Sequence, residues 1–187
     1  MSTASSFGPS ALLTPANAIT LARLALTPVW LVVVVDQGPS WPAFLLGFVL
    51  AATDGIDGWL ARKQGTTRSG AFLDPLADKF LVVGGLVALV VQGAFWWLPV
   101  GLIASREAVI SLYRSWAGRN GISIPARWWA KVKTVVQELA IGAALLPVTK
   151  EHAAVRNTVL WVAVVLTLVT GAQYLLDGRK AARDPAL

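Results

Sequence analysis

Long apolar segments recur along the whole chain and are separated by short polar or turn-forming stretches. A helix needs about twenty mostly apolar residues to cross the ~30 Å hydrocarbon core of a bilayer. The pattern therefore predicts an all-α integral membrane protein with six transmembrane helices. The predicted spans cover residues 19–35, 41–62, 70–91, 97–116, 131–148 and 155–176.

Local signals mark the beginning and the end of the first span. Thr14 followed by Pro15 favours a helix start, because a Thr side chain caps the first turn and Pro suits its first position. Gly38 followed by Pro39 is a turn signal. We expect a membrane domain over residues 14–178, with a flexible N-terminal tail at 1–13 and a basic C-terminal tail at 179–187.

The composition favours lipid over water as the solvent of most of the chain. Among 187 residues, 56% are apolar and only 14% are charged, unlike a typical soluble domain. There is no cysteine, which excludes a disulfide framework and a cysteine nucleophile. The net charge of +6 is better explained by anionic lipid surfaces than by nucleic acid, which we do not expect as a partner.

Lys and Arg are distributed unevenly between the two sides of the predicted bundle. Eleven lie near the connections that follow spans two and four and in the C-terminal tail, whereas the opposite connections contribute only Lys150 and Arg156. Short cytoplasmic loops retain positive charge. Both termini are therefore predicted to face the cytoplasm, in a multi-pass protein of a bacterial-type cytoplasmic (inner) membrane.

Four acidic residues interrupt the second and third spans. Asp54 and Asp57 are three positions apart, and Asp74 and Asp78 are four apart, so each pair shares one face of a helix. If residues 63–69 form a short loop, the two faces converge. Charges at bilayer depth cost about 2.5–3.5 kcal/mol each and need compensation. Oxygen ligands without His or Cys suit Mg²⁺ or Mn²⁺, so the cluster predicts a divalent metal site.

Two simpler explanations of these acids remain open at this point. Asp74 precedes Pro75 and would suit the cap of a helix start. Gly58, Ala61 and Gly70 nevertheless favour a ligand site, because small residues let a bulky ligand approach the backbone. The second simpler explanation is that the four acids only form ion pairs with nearby cations, which are Arg62, Lys63, Arg68 and Lys79.

The acids and small residues form the pattern Asp-x-x-Asp-Gly-x-x-Ala-Arg, a gap, and Gly-x-x-x-Asp-x-x-x-Asp. This pattern resembles the signature of the CDP-alcohol phosphatidyltransferase family at every fixed position, with a gap one residue shorter than usual. The resemblance implies a homodimer of six-helix subunits and a cytoplasm-facing polar cavity for the metal and the CDP group. It implies metal ligands Asp54, Asp57, Asp74 and Asp78, with Asp78 also the general base, and CDP contacts from Asp57, Gly58, Ala61, Arg62 and Gly70.

A second region looks like that of phosphatidylglycerophosphate synthases, one group within this family. It includes Arg106-Glu107 and a Lys-x-Lys-Thr string in which Ala130 precedes Lys131 where Gly is common. Lys131 and Lys133 would also suit anchoring of a helix end to lipid headgroups, and Arg106 and Glu107 could pair only with each other. In the functional interpretation, a cationic pocket binds the phosphate of glycerol 3-phosphate; its members are Arg106, Arg114, Lys131 and Lys133.

The implied reaction transfers a phosphatidyl group from CDP-diacylglycerol to glycerol 3-phosphate, with attack of the acceptor hydroxyl on the β-phosphate and release of CMP. Two alternatives lie within the family, a cardiolipin synthase and an enzyme with an inositol phosphate acceptor. A cation-coupled transporter belongs to a different class, and it would be expected to show repeat symmetry or broken helices. The sequence shows neither.

Overall fold

The computed structural model describes residues 14–64, 68–120 and 128–183, and over these residues all regular secondary structure is helical, with no strand. A short 3-10 turn, Pro147–Thr149, lies between the last two helices. The predicted all-α class is confirmed for this part of the chain. The helices are α1 (Pro15–Gln37), α2 (Trp41–Gln64), α3 (Arg68–Val91), α4 (Trp97–Arg119), α5 (Trp129–Leu145) and α6 (Ala153–Arg183).

The predicted signals at both ends of α1 are confirmed. The Thr14 hydroxyl accepts a hydrogen bond from the backbone N–H of Asn17 at 3.1 Å, and Pro15 occupies the first turn. At the other end, Gly38 has a φ of 60°, a conformation that favours glycine. Local chemistry therefore sets the length of this helix.

Three interpretations of where helices begin and end are wrong. α2 continues to Gln64 and α3 begins at Arg68, so helix replaces both ends of the loop predicted over residues 63–69. Pro75 lies inside α3, and Asp74 therefore does not cap a helix start, since α3 has already begun at Arg68. The fifth helix also ends earlier than predicted, because Pro147 disfavours helical backbone at the residue before it.

The helices form two groups that meet at α3. α1 packs against α2 and α3, while α6 packs against α4 and α5. α3 also contacts α4 and α5, and α2 reaches α5. The buried core lies along these contacts, and it includes Trp30, Val34, Leu50, Leu81, Leu86, Leu89, Ile103, Ala140, Leu145, Leu160 and Val164.

Among the described residues, two helical segments are long and apolar enough to cross a membrane, Pro15–Gln37 and Ala153–Ala181. A shorter apolar segment, Trp41–Ile56, lies in α2. The helices from α2 to α5 each contain at least three charged residues. These charges interrupt the apolar runs, and several of them line a polar cavity that is described below.

Trp30 joins three helices in the core. Its side chain is buried and its indole N–H donates to the backbone carbonyl of Ala43 at 2.9 Å. The ring lies against Gly47 of α2 and Gly85 of α3, where a Cβ atom would approach it to 2.9 and 2.5 Å. Glycine at both positions therefore gives the indole its space.

We expect Gly85→Ala to destabilise the protein by about 1–3 kcal/mol, because the added methyl group overpacks a rigid ring. Thermal unfolding in detergent would measure the effect. Gly101→Ala is the matched control, since its Cβ would lie 3.9 Å from the nearest atom, in Trp97. An equal loss of stability in both variants would contradict the role of the Trp30 contact.

Candidate active site

A polar cavity of about 580 Å³ lies between α2, α3, α4, α5 and α6. Its side near α2 and α3 carries three aspartates with Lys79, and its side near α4 and α5 carries four cations with Glu107 and Glu138. We call the first set, Asp54, Asp74 and Asp78, the acidic wall. We call the second set, Arg106, Arg114, Lys131 and Lys133, the basic wall.

Residues of α1 hold two members of the acidic wall. Arg23 donates from Nη1 to Oδ1 of Asp54 at 2.5 Å, and the Arg23 side chain is only 1% exposed whereas that of Asp54 is 43% exposed. The Thr20 hydroxyl donates to Oδ1 of Asp74 at 2.9 Å. Asp54 therefore contacts a buried guanidinium on one side while its other side remains open to the cavity.

Asp78 is the member of the acidic wall whose electrostatic interactions extend to the basic wall. Its carboxylate interacts electrostatically with Asp54 and Arg23 and also with Lys133 and Glu107. A carboxylate at this place is near both the acids of α2 and α3 and the cations of the basic wall. The position suits a group that accepts a proton from a substrate bound between the walls.

The donor chemistry of the acidic wall fits a hard divalent cation, because three carboxylates from two helices border one cavity and Mg²⁺ and Mn²⁺ prefer oxygen ligands. Among the side chains that the structure describes, no three acid, His or Cys groups could hold a metal ion together. The Asp57 side chain lies outside the described set. Coordination by all four acids stays a prediction.

The predicted CDP contacts are described only in part. Gly58 lines the cavity, and Gly70 is buried in the first turn of α3. Asp57, Ala61 and Arg62 lie in α2, but their side chains are outside the described residues. Among the described residues that are predicted to contact CDP, Gly58 is the one that lines the cavity.

The basic wall contains a buried ion network. Glu107 accepts from Nη1 of Arg106 at 2.9 Å and also from Nζ of Lys133. Nη2 of Arg106 donates to the Thr170 hydroxyl at 3.1 Å. The alternative in which Arg106 and Glu107 pair only with each other is therefore wrong.

The two lysines of the basic wall differ in exposure. The Lys133 side chain is 9% exposed, whereas Lys131 is exposed. Anchoring to lipid headgroups is therefore wrong for Lys133, because burial inside the bundle keeps its ammonium from the lipid surface. Arg114 is exposed and lines the cavity with Lys131.

A second, apolar cavity of about 530 Å³ adjoins the polar one. It lies between α2, α3 and α5, and its lining includes Phe44, Phe48 and Leu81. Val135 and Glu138 line both cavities. The two cavities together offer a polar site next to an apolar one.

The sequence profile of the CDP-alcohol phosphatidyltransferase family matches residues 13–169. The chain belongs to this family. It is similar to the "Probable phosphatidylglycerophosphate synthase" of Mycobacterium tuberculosis, 37% identical over 90% of this chain and 82% of that protein. Relatives named "CDP-diacylglycerol--glycerol-3-phosphate 3-phosphatidyltransferase" are 38% identical in Haemophilus influenzae, over 84% of this chain and 89% of that protein, and in Escherichia coli K12, over 86% and 92%.

The resemblance seen in the sequence is thus confirmed, and this CDP-alcohol phosphatidyltransferase is an enzyme of phospholipid biosynthesis. The family is membrane-associated and in general depends on a divalent metal. Both properties agree with the apolar helices and with the oxygen donors of the acidic wall.

Several residues at the site of this phosphatidyltransferase are not predicted from the sequence. Arg23 and Thr20 stand out only as polar positions within an apolar segment, three apart on one face of α1. Glu138 stands in the apolar run of α5, and its charge interacts with Asp78, Asp54 and Arg23. Asp177, which resembles an ordinary charge at a span boundary, lines the cavity.

Proposed function

We propose that this enzyme transfers a phosphatidyl group from CDP-diacylglycerol to glycerol 3-phosphate, giving phosphatidylglycerophosphate and CMP. The observation that carries the proposal is a single cavity in which an acidic wall and a basic wall lie together. The names of the relatives from H. influenzae and E. coli contain the same donor and acceptor.

The acidic wall and the small residues near it would bind the nucleotide end of the donor. Asp54, Asp57, Asp74 and Asp78 would hold a divalent cation, Mg²⁺ or Mn²⁺, which when bound supplies charge neutralisation at the diphosphate. Arg62 would pair with the diphosphate. The remaining CDP contacts would come from Asp57 and from three small residues, Gly58, Ala61 and Gly70.

The reaction would be a direct displacement at phosphorus. The acceptor hydroxyl attacks the β-phosphorus of CDP-diacylglycerol, a new P–O bond forms, and the bond to the oxygen of the leaving CMP breaks. Asp78 would take the hydroxyl proton as general base. Its interactions with both Asp54 and Lys133 support this role, because the hydroxyl must lie between the donor phosphate and the acceptor phosphate.

The basic wall would bind the phosphate of glycerol 3-phosphate. Several fixed cations suit a dianion, and Lys133 and Arg106 are both fixed by Glu107. Lys131 and Arg114, which are exposed on the same cavity, would complete the set. Such a pocket favours a small phosphorylated acceptor over a bulky lipid.

The apolar cavity would receive an acyl chain of the donor. It adjoins the polar cavity at Val135 and Glu138, as needed for a lipid whose headgroup lies between the walls. Van der Waals contacts with the apolar lining would stabilise the chain there.

The membrane arrangement is part of the same proposal. The helices α1 to α6 would all span a bacterial cytoplasmic membrane as one domain over residues 14–178, with the polar cavity and both termini on the cytoplasmic side. Two helices with the length and composition of a span and the uneven distribution of Lys and Arg support it. A homodimer is the expected assembly.

CMP release by the purified protein in detergent tests the reaction. We expect release with CDP-diacylglycerol, glycerol 3-phosphate and Mg²⁺ or Mn²⁺, loss of release when a chelator removes the metal, and recovery when the metal is restored. Phosphatidylglycerol and inositol phosphate are the alternative acceptors to compare. Release with one of these alone would reject the proposed acceptor, and no release with any acceptor would reject the proposed reaction.

A further inference from the structure

α1 carries two buried polar side chains that contact acids on two other helices. Arg23 and Thr20 are 2% and 1% exposed, and they lie three positions apart on the same face of α1. Arg23 donates to Asp54 of α2, and Thr20 donates to Asp74 of α3. One turn of α1 therefore contacts an acid on each of the two helices that carry the acidic wall.

The two contacts also share a geometry at the carboxylates. Each donor uses Oδ1 of its acid, and both acids line the polar cavity. A carboxylate has two oxygens, so a hydrogen bond to one of them orients the group while the other can face a ligand. Groups that hydrogen-bond to metal-ligating carboxylates in this way set ligand orientation.

We propose that Arg23 and Thr20 are positioning residues that hold the Asp54 and Asp74 carboxylates in the geometry needed for metal binding. The inference rests on the proposed function insofar as that function places a divalent cation at the acidic wall. The competing explanation is that Arg23 only compensates the charge of Asp54 during folding. The two explanations predict opposite changes in metal affinity when Arg23 is replaced, because loss of a compensating cation alone would strengthen the attraction of the acids for a metal.

Binding of Mn²⁺ to the purified protein, followed by the electron paramagnetic resonance signal of free Mn²⁺, distinguishes them. It requires neither lipid nor acceptor, so it is independent of which alcohol the enzyme uses. We expect Arg23→Met to weaken Mn²⁺ binding on the order of 10-fold or more, because loss of a group that hydrogen-bonds to a metal ligand typically has an effect of this size. Thr20→Val should also weaken Mn²⁺ binding. Thr20→Ser should restore binding, because it restores the hydroxyl.

Thr27→Val is the matched control. Thr27 is buried on the same face of α1, but its hydroxyl donates to the backbone carbonyl of Arg23 at 2.8 Å. We expect Thr27→Val to leave Mn²⁺ affinity unchanged.

Thr20→Val and Thr20→Ser keep the test decisive if Arg23→Met does not fold, since both are neutral and close in size to Thr. Unchanged or tighter Mn²⁺ binding in Thr20→Val and Arg23→Met would overturn the inference. So would failure of the unaltered protein to bind Mn²⁺. If Mn²⁺ binds as expected but glycerol 3-phosphate does not support CMP release, the proposed acceptor fails and the positioning role stands.

Discussion

Asp78→Asn should lower the rate of CMP release by at least about 100-fold, because general base catalysis typically contributes 10²–10⁴-fold. Binding of CDP-diacylglycerol should remain largely intact, since an amide of the same size keeps the shape of the site. Asp57→Asn should lose both turnover and donor binding, because this acid is predicted to serve the metal and the CDP group. Turnover and equilibrium binding of the donor would be measured on the same purified variants.

Asp36→Asn provides the control for these two substitutions. Asp36 is exposed near the end of α1, and it is not one of the residues that line the polar cavity. We expect normal turnover and normal donor binding. Retained turnover in Asp78→Asn would remove the general base assignment. Equal loss of donor binding in Asp78→Asn and Asp57→Asn would mean that Asp78 serves chiefly as a metal ligand.

Lys133→Met should raise the KM for glycerol 3-phosphate on the order of 10- to 100-fold, because a hydrogen bond to a charged group contributes about 1.5–3 kcal/mol. The KM for CDP-diacylglycerol should change little. Glu107 would still be paired with Arg106 in this variant, so no unpaired buried carboxylate is created. Steady-state CMP release with each substrate varied in turn gives both constants.

Lys131→Met should have a smaller effect on the same KM, because an exposed cation is screened by water and salt. Lys150→Met is the control, since Lys150 is exposed in the connection between α5 and α6. An unchanged KM for glycerol 3-phosphate in Lys133→Met would contradict the acceptor pocket. A rise in the KM for the donor instead would assign Lys133 to the nucleotide site.

The helices and the acidic wall could be predicted because their signals are local. Thr14 and Gly38 act within one turn of the ends of α1, and a helical period requires Asp74 and Asp78 to share a face. Asp54, which is predicted to join them, does line the same cavity. The roles of these acids in metal binding stay predictions.

The partners of these acids were not predictable in the same way. Nearby cations such as Lys79 and Arg62 are the natural candidates from the sequence, yet the contact observed at Asp54 comes from Arg23, 31 positions earlier in the chain. A buried arginine in an apolar helix signals that some partner exists. It does not indicate which helix supplies that partner.

The sequence by itself determined the all-α class, the approximate position of each helix and membership of the CDP-alcohol phosphatidyltransferase family. Those properties depend on spacings within a few turns and on a signature of fixed residues. The tertiary structure decided that α1 supports the acids and that Glu107 joins Arg106 to Lys133 across α4 and α5. The physical reason is that such contacts depend on how each helix is rotated and packed against its neighbours, which residue spacing along one helix does not specify.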